Sequence, residues 1–96
     1  MRLSVEGRAH RALRRLAHAP ATHTHLCRLV ADGDTPRRAR QARHVFRAMV
    51  TAELIALAGN TYRILPLGID ALEELEAGRE FETAGIPNVR IFRKAA

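Results

Sequence analysis

The chain has no tryptophan, one tyrosine and three phenylalanines, so aromatic residues make up only 4% of its 96 positions. Its core must therefore come from Leu, Ala, Val and Ile, a composition that favours packed helices. It also lacks an aromatic platform on which single-stranded bases could stack, which argues against RNA as the partner. Cys27 is the only cysteine, and this excludes an intrachain disulfide. No apolar run approaches the roughly 20 residues that span a bilayer, and the first residues lack the apolar centre of a secretory signal. The expected location is the cytoplasm, with no membrane partner. No nucleophile, base and orienting acid stand together, and one small domain has little room for a deep cleft, so an enzyme is not expected. Acids are scarce in one half only. Residues 1 to 47 hold 11 Arg and no Lys against 3 acids, a net +8, whereas residues 48 to 96 hold 4 Arg and Lys94 against 7 acids, a net −2.

What the chain has in quantity is arginine, 15 against one lysine, for a formal charge of +6 and an isoelectric point near 11.2. Clustered in the first half, this surplus points to a polyanionic partner. Five arginines, Arg37, Arg38, Arg40, Arg43 and Arg47, fall in a stretch that Thr35 can cap and Pro36 can open. Proline suits the first helical position because the N–H it lacks would have no partner there. At about 100° per residue, Ala39, Ala42, Val45, Phe46, Met49 and Val50 fall on one side and Arg37, Arg40, Gln41, His44 and Arg47 on the other. The spacing predicts a helix over 36 to 51 with one face in the core and the other cationic and hydrogen-bonding. Such a face suits the DNA major groove, where Arg reads guanine and Gln reads adenine. Arg37, Arg40, Gln41 and His44 are the expected base readers. Arg38, Arg43 and Arg47 are expected on phosphates.

Ser4 is a candidate cap for a first helix with Val5, Ala9, Ala12, Leu13, Leu16 and Ala17 inward. Its arginines, Arg8, Arg11, Arg14 and Arg15, are open to three uses: solubility, phosphate contact or a partner surface. Pro20 ends that segment. Thr22 can cap a short second helix to about Ala31 with Leu26, Leu29 and Val30 inward. Thr22, His23 and Thr24 stand at its positive end and are expected on phosphates. Residues 31 to 34 read as a turn. Residues 55 to 58 and 61 to 65 read as strands of a hairpin around Gly59 and Asn60. Ile69, Leu72 and Leu75 then give the inner face of a fourth helix ending at Gly78, with Asp70, Glu73, Glu74 and Glu76 outside. Residues 79 to 96 are expected as an extension that forms a strand near 89 to 92 or an arm across a dimer. His23, His25 and Cys27 are possible zinc ligands, but on a helix the two histidines differ by about 200°. No metal or other cofactor is expected, and Cys27, beside Leu26 and Leu29, reads as a small core residue.

Two helices joined by a tight turn containing Gly33 make a helix-turn-helix, and the junction Tyr62, Arg63, Ile64, Leu65, Pro66, Leu67, Gly68 follows the hairpin turn. Over residues 22 to 78 this order resembles the winged helix-turn-helix domain of bacterial transcription regulators. The junction is similar to the Tyr-Arg-Leu-Thr-Pro-Leu-Gly signature of MarR-like and PadR-like repressors, with Leu65 where threonine is usual. The resemblance implies a mainly α fold with a small β-hairpin (α+β), a winged helix-turn-helix over residues 1 to 78. It also implies a recognition helix at 36 to 51 and a wing at 55 to 65 bearing Asn60, Thr61 and Arg63. The implied function is sequence-specific binding of double-stranded DNA by a homodimer that represses transcription. The rival is a winged-helix protein interaction module whose basic surface meets an acidic partner, and the short hairpin with its single arginine is its best support.

Overall fold

The structure, a computed structural model, describes residues 1–31 and 35–83. The elements run β1 (Arg2–Leu3), α1 (Arg8–Leu16), β2 (Ala21–Thr22), α2 (His23–Val30), α3 (Pro36–Thr51), β3 (Ile55–Ala58), β4 (Thr61–Ile64), α4 (Pro66–Glu76) and β5 (Phe81–Glu82). Among the described residues they form a mixed α+β globule of four helices and two small antiparallel sheets. One sheet has the order β2, β4, β3, with Ala21 opposite Tyr62 and Ile55 opposite Ile64. In the other, Leu3 of β1 faces Phe81 of β5. No helix among the described residues is long and apolar enough to cross a membrane.

The core is drawn from every layer. Ala12, Leu13 and Leu16 of α1, Leu26 and Val30 of α2, Ala42, Phe46 and Met49 of α3, Ile55 and Tyr62 of the hairpin, and Ala71 and Leu75 of α4 are all buried. Both threonine caps form as the sequence predicts. Thr22 Oγ1 accepts the His25 N–H and Thr35 Oγ1 accepts the Arg38 N–H, each at 3.2 Å. The hairpin turns at Gly59, whose left-handed φ of 65° is the conformation that a two-residue turn asks of its first central residue.

Three expectations are corrected by packing. Ser4 does not cap α1. Leu3 enters the core opposite Phe81, so the chain must turn before the helix can start. The Ser4 carbonyl accepts the Gly7 N–H at 3.0 Å, Glu6 takes a φ of 61°, and Gly7 becomes the N-cap. Val5 is consequently 40% exposed, and Ala17 lies outside as well. The second correction is in α2, whose eight residues seat only Leu26 and Val30, leaving Leu29 46% exposed. Finally, α4 begins at Pro66 rather than Ile69 and turns Gly68, Ala71 and Leu75 inward, leaving Ile69 47% exposed. Gly68 lies so close to the hairpin that a Cβ there would stand 2.1 Å from the Leu54 carbonyl oxygen.

Past Gly78 the chain returns to its own start, where the Thr83 N–H donates to the Met1 carbonyl at 2.8 Å. The expected turn at Asp32 to Asp34, the strand near 89 to 92 and the dimer arm lie outside the described residues.

Candidate nucleic-acid interface

Phe46, Ala42 and Met49 fix the rotation of α3, and the helical period then places the rest. Arg37, Arg38, Arg40, Arg43, His44 and Arg47 are exposed. Arg40, Arg43, His44 and Arg47 line one shallow hollow along the helix. Arg43 and Arg47 continue into a second, whose far wall is Leu57 and Tyr62 of the hairpin. On the other flank, toward α1, Arg37, Arg38 and Gln41 line a third hollow with Thr35 and Arg8.

The electrostatics of this face are unbalanced. Among the described residues, no carboxylate lies within ion-pair distance of Arg37, Arg40, Arg43 or Arg47. The first turn of α3 holds no acid and two arginines, the reverse of what the helix dipole favours. An anion docked here would relieve both the mutual repulsion and the opposed dipole.

Gln41 is half-buried, and its Oε1 accepts a hydrogen bond of 3.0 Å from Arg8 Nη2, across 33 residues of chain. Helical periodicity within either helix carries no signal of this pairing, which brings Arg8 to the α3 surface. Two further α1 arginines, Arg14 and Arg15, go elsewhere. Arg15 Nη1 donates to the Ala19 carbonyl at 2.9 Å. Arg14 Nη2 reaches Glu6 at 2.8 Å and Glu76 at 2.9 Å. Hydrogen bonds from Arg14 hold the Glu6 and Glu76 carboxyls below the usual range, His10 adding to the effect at Glu76. His10 itself is buried, with Nδ1 accepting the Glu6 N–H at 2.8 Å. Its ring proton therefore sits on Nε2, which donates to Glu76 at 2.5 Å.

At the start of α2, Thr22, Thr24 and His25 are exposed, but His23, expected on a phosphate, turns inward. Its Nδ1 lies 3.0 Å from the Tyr62 hydroxyl and its Nε2 3.3 Å from Cys27 Sγ, so both ring nitrogens are engaged. The ring meets Phe46 edge-on at 5.9 Å and Tyr62 at 5.7 Å. The cause is the pairing of β2 with β4, which sets α2 against the hairpin tip, where the His23 N–H donates to the Asn60 carbonyl at 2.8 Å. His23, Phe46 and Tyr62 thus join α2, α3 and the hairpin beneath the cationic face. Burial pushes the Cys27 thiol and the Tyr62 phenol up, with Arg43 drawing both partway back. Cys27 is accordingly a protonated, half-buried thiol at neutral pH. Among the described residues no three His, Cys, Asp or Glu side chains group as metal ligands.

On the hairpin, Asn60 and Arg63 are exposed and Thr61 Oγ1 donates to Asn60 Oδ1 at 3.2 Å. Strand alternation sets Arg63 on the face opposite Tyr62, so the hairpin residues beside Arg43 and Arg47 are Leu57 and Tyr62. No family model matches the chain, and neither does any curated protein or solved structure.

Proposed function

We propose that the protein is a winged helix-turn-helix DNA-binding protein, a transcriptional regulator that occupies its operator as a homodimer with α3 in the major groove. The observation that carries this is the outer face of α3, where Arg37, Arg40, Arg43 and Arg47, with no carboxylate partner among the described residues, share one side with His44 while Phe46 anchors the opposite side. At about 1.5 Å per residue the helix is roughly 24 Å long, and the major groove admits a helix of this kind. The order helix, helix, basic helix, hairpin, helix supports the same reading.

In this arrangement Arg37, Arg40 and His44, on the ridge most distant from Phe46, read base edges together with Gln41. Arg38, Arg43 and Arg47 flank them and hold phosphates, while Thr22 and Thr24 meet the backbone at the positive end of α2. Asn60, Thr61 and Arg63 form the wing.

Selection from a pool of random duplexes at low and near-physiological salt tests the proposal. The expected result is enrichment of a palindromic or repeated motif at the higher salt, since paired half-sites mirror a two-fold symmetric dimer. Retention of no duplex at either salt would contradict it and leave the cationic face to an acidic protein partner.

A further inference from the structure

Resting on DNA binding by α3, we infer that Arg8 is a specificity-determining residue: it draws the Gln41 acceptor toward α1 and turns that side chain from an adenine reader into a guanine reader. Guanidinium nitrogens carry donors and no acceptor, so the amide atom 3.0 Å from Arg8 Nη2 must be the acceptor, Oε1. Gln41 therefore presents Nε2 outward with its two donors. A free glutamine reads adenine by accepting from N6 and donating to N7. Oε1 keeps a second lone pair, but with Oε1 directed at Arg8 and α1 the paired oxygen and nitrogen edge that grips adenine no longer faces the groove as a unit, and the adenine N6 group meets the Nε2 donors. Guanine offers two acceptors in the major groove, N7 and O6, and suits the two hydrogens of Nε2. Thymine offers one acceptor, O4, and a methyl group, and suits them less well. Gln41 is half-buried beside α1 and lines the same hollow as Arg8, Arg37 and Arg38, so the pairing is formed before any duplex arrives. The position is one at which the sequence by itself indicates adenine.

The test is parallel selection from random duplexes by the wild type, Arg8→Met, Arg8→Lys and Gln41→Ala. Gln41→Ala locates the base pair, since preference flattens there and persists elsewhere. At that position the wild type is expected to favour guanine, Arg8→Met to shift toward adenine by roughly tenfold, and Arg8→Lys, which still donates, to keep guanine. Arg8→Ala, at a helical site where alanine is favoured, gives the same readout if methionine packs badly. An adenine preference in the wild type, or the same base in the wild type and Arg8→Met, would overturn the inference while leaving DNA binding intact. Enrichment of nothing by the wild type would overturn DNA binding and the inference with it.

Discussion

Arg14 and four arginines of α3, Arg37, Arg40, Arg43 and Arg47, stand in opposite surroundings. Arg14 sits between Glu6 and Glu76, at 2.8 and 2.9 Å, and beside the buried His10, in a cluster that ties α1 to α4. Arg37, Arg40, Arg43 and Arg47 face outward, with no carboxylate partner among the described residues. Where an arginine serves the fold, the chain supplies its counter-charge. For Arg37, Arg40, Arg43 and Arg47 none of the described carboxylates does so, although like charges three and four residues apart each cost a few tenths of a kcal/mol. An anion from outside would complete a helix arranged in this way, as the proposed DNA binding requires. On the proposed reading, the contrast separates arginines that hold the protein together from those that act on DNA.

The comparison breaks most completely if its shared foundation is removed. Phe46→Ala leaves a cavity under the α3 face, where His23 and Tyr62 also pack. We expect a loss of about 3–5 kcal/mol, read as a large fall in the midpoint of urea unfolding. Next is Gly68→Ala, whose Cβ meets the Leu54 carbonyl at 2.1 Å and Ile64 Cγ1 at 2.9 Å. Separation of α4 from the hairpin should cost about 1–3 kcal/mol, seen as a lower Tm. Both changes act on the fold and leave the list of charges unaltered.

Charge substitutions sharpen the contrast. Arg43→Ala with Arg47→Ala should weaken binding to every duplex while shifting stability by no more than about 0.5 kcal/mol per site. Arg14→Ala should do the reverse, lowering Tm and sparing affinity. The smallest expected effect is on pH dependence. Because Arg14 holds Glu6 and Glu76 below their ordinary value of 4.5, the stability they contribute is present above that value. It is lost as pH falls below 4.5 and the folded-state carboxyls take up protons. Thermal melts between pH 6 and 3 should show this fall in the wild type, and Arg14→Ala should blunt it.

The parts of this arrangement that were legible in the sequence are those with local causes. Thr35 and Pro36 announce the start of α3, and Phe46 within a 3.6-residue period fixes which side faces out. Gly59 and Asn60 announce the hairpin, and Thr22 caps α2 as its chemistry requires. The rest depends on partners far along the chain. β2 has two residues, too few for any periodicity, and exists because β4 is beside it. Leu3 is drawn to Phe81, and this displaces the start of α1 from Ser4 to Gly7. His23 carries the features of a phosphate ligand, yet Tyr62, 39 residues away, turns it inward. Arg8 and Gln41 meet only because α1 and α3 pack together. The backbone carbonyl that makes Gly68 necessary belongs to another element.

The measurement that bears most directly on the contrast is the salt dependence of duplex binding by three proteins: the wild type, the Arg43→Ala/Arg47→Ala double variant and Arg14→Ala. Each phosphate contact contributes roughly 0.9 to the slope of log K against log salt. DNA binding through α3 predicts a slope shallower by about 1.8 in the double variant and unchanged in Arg14→Ala. Equal slopes for all three proteins, or no binding even at low salt, would contradict it.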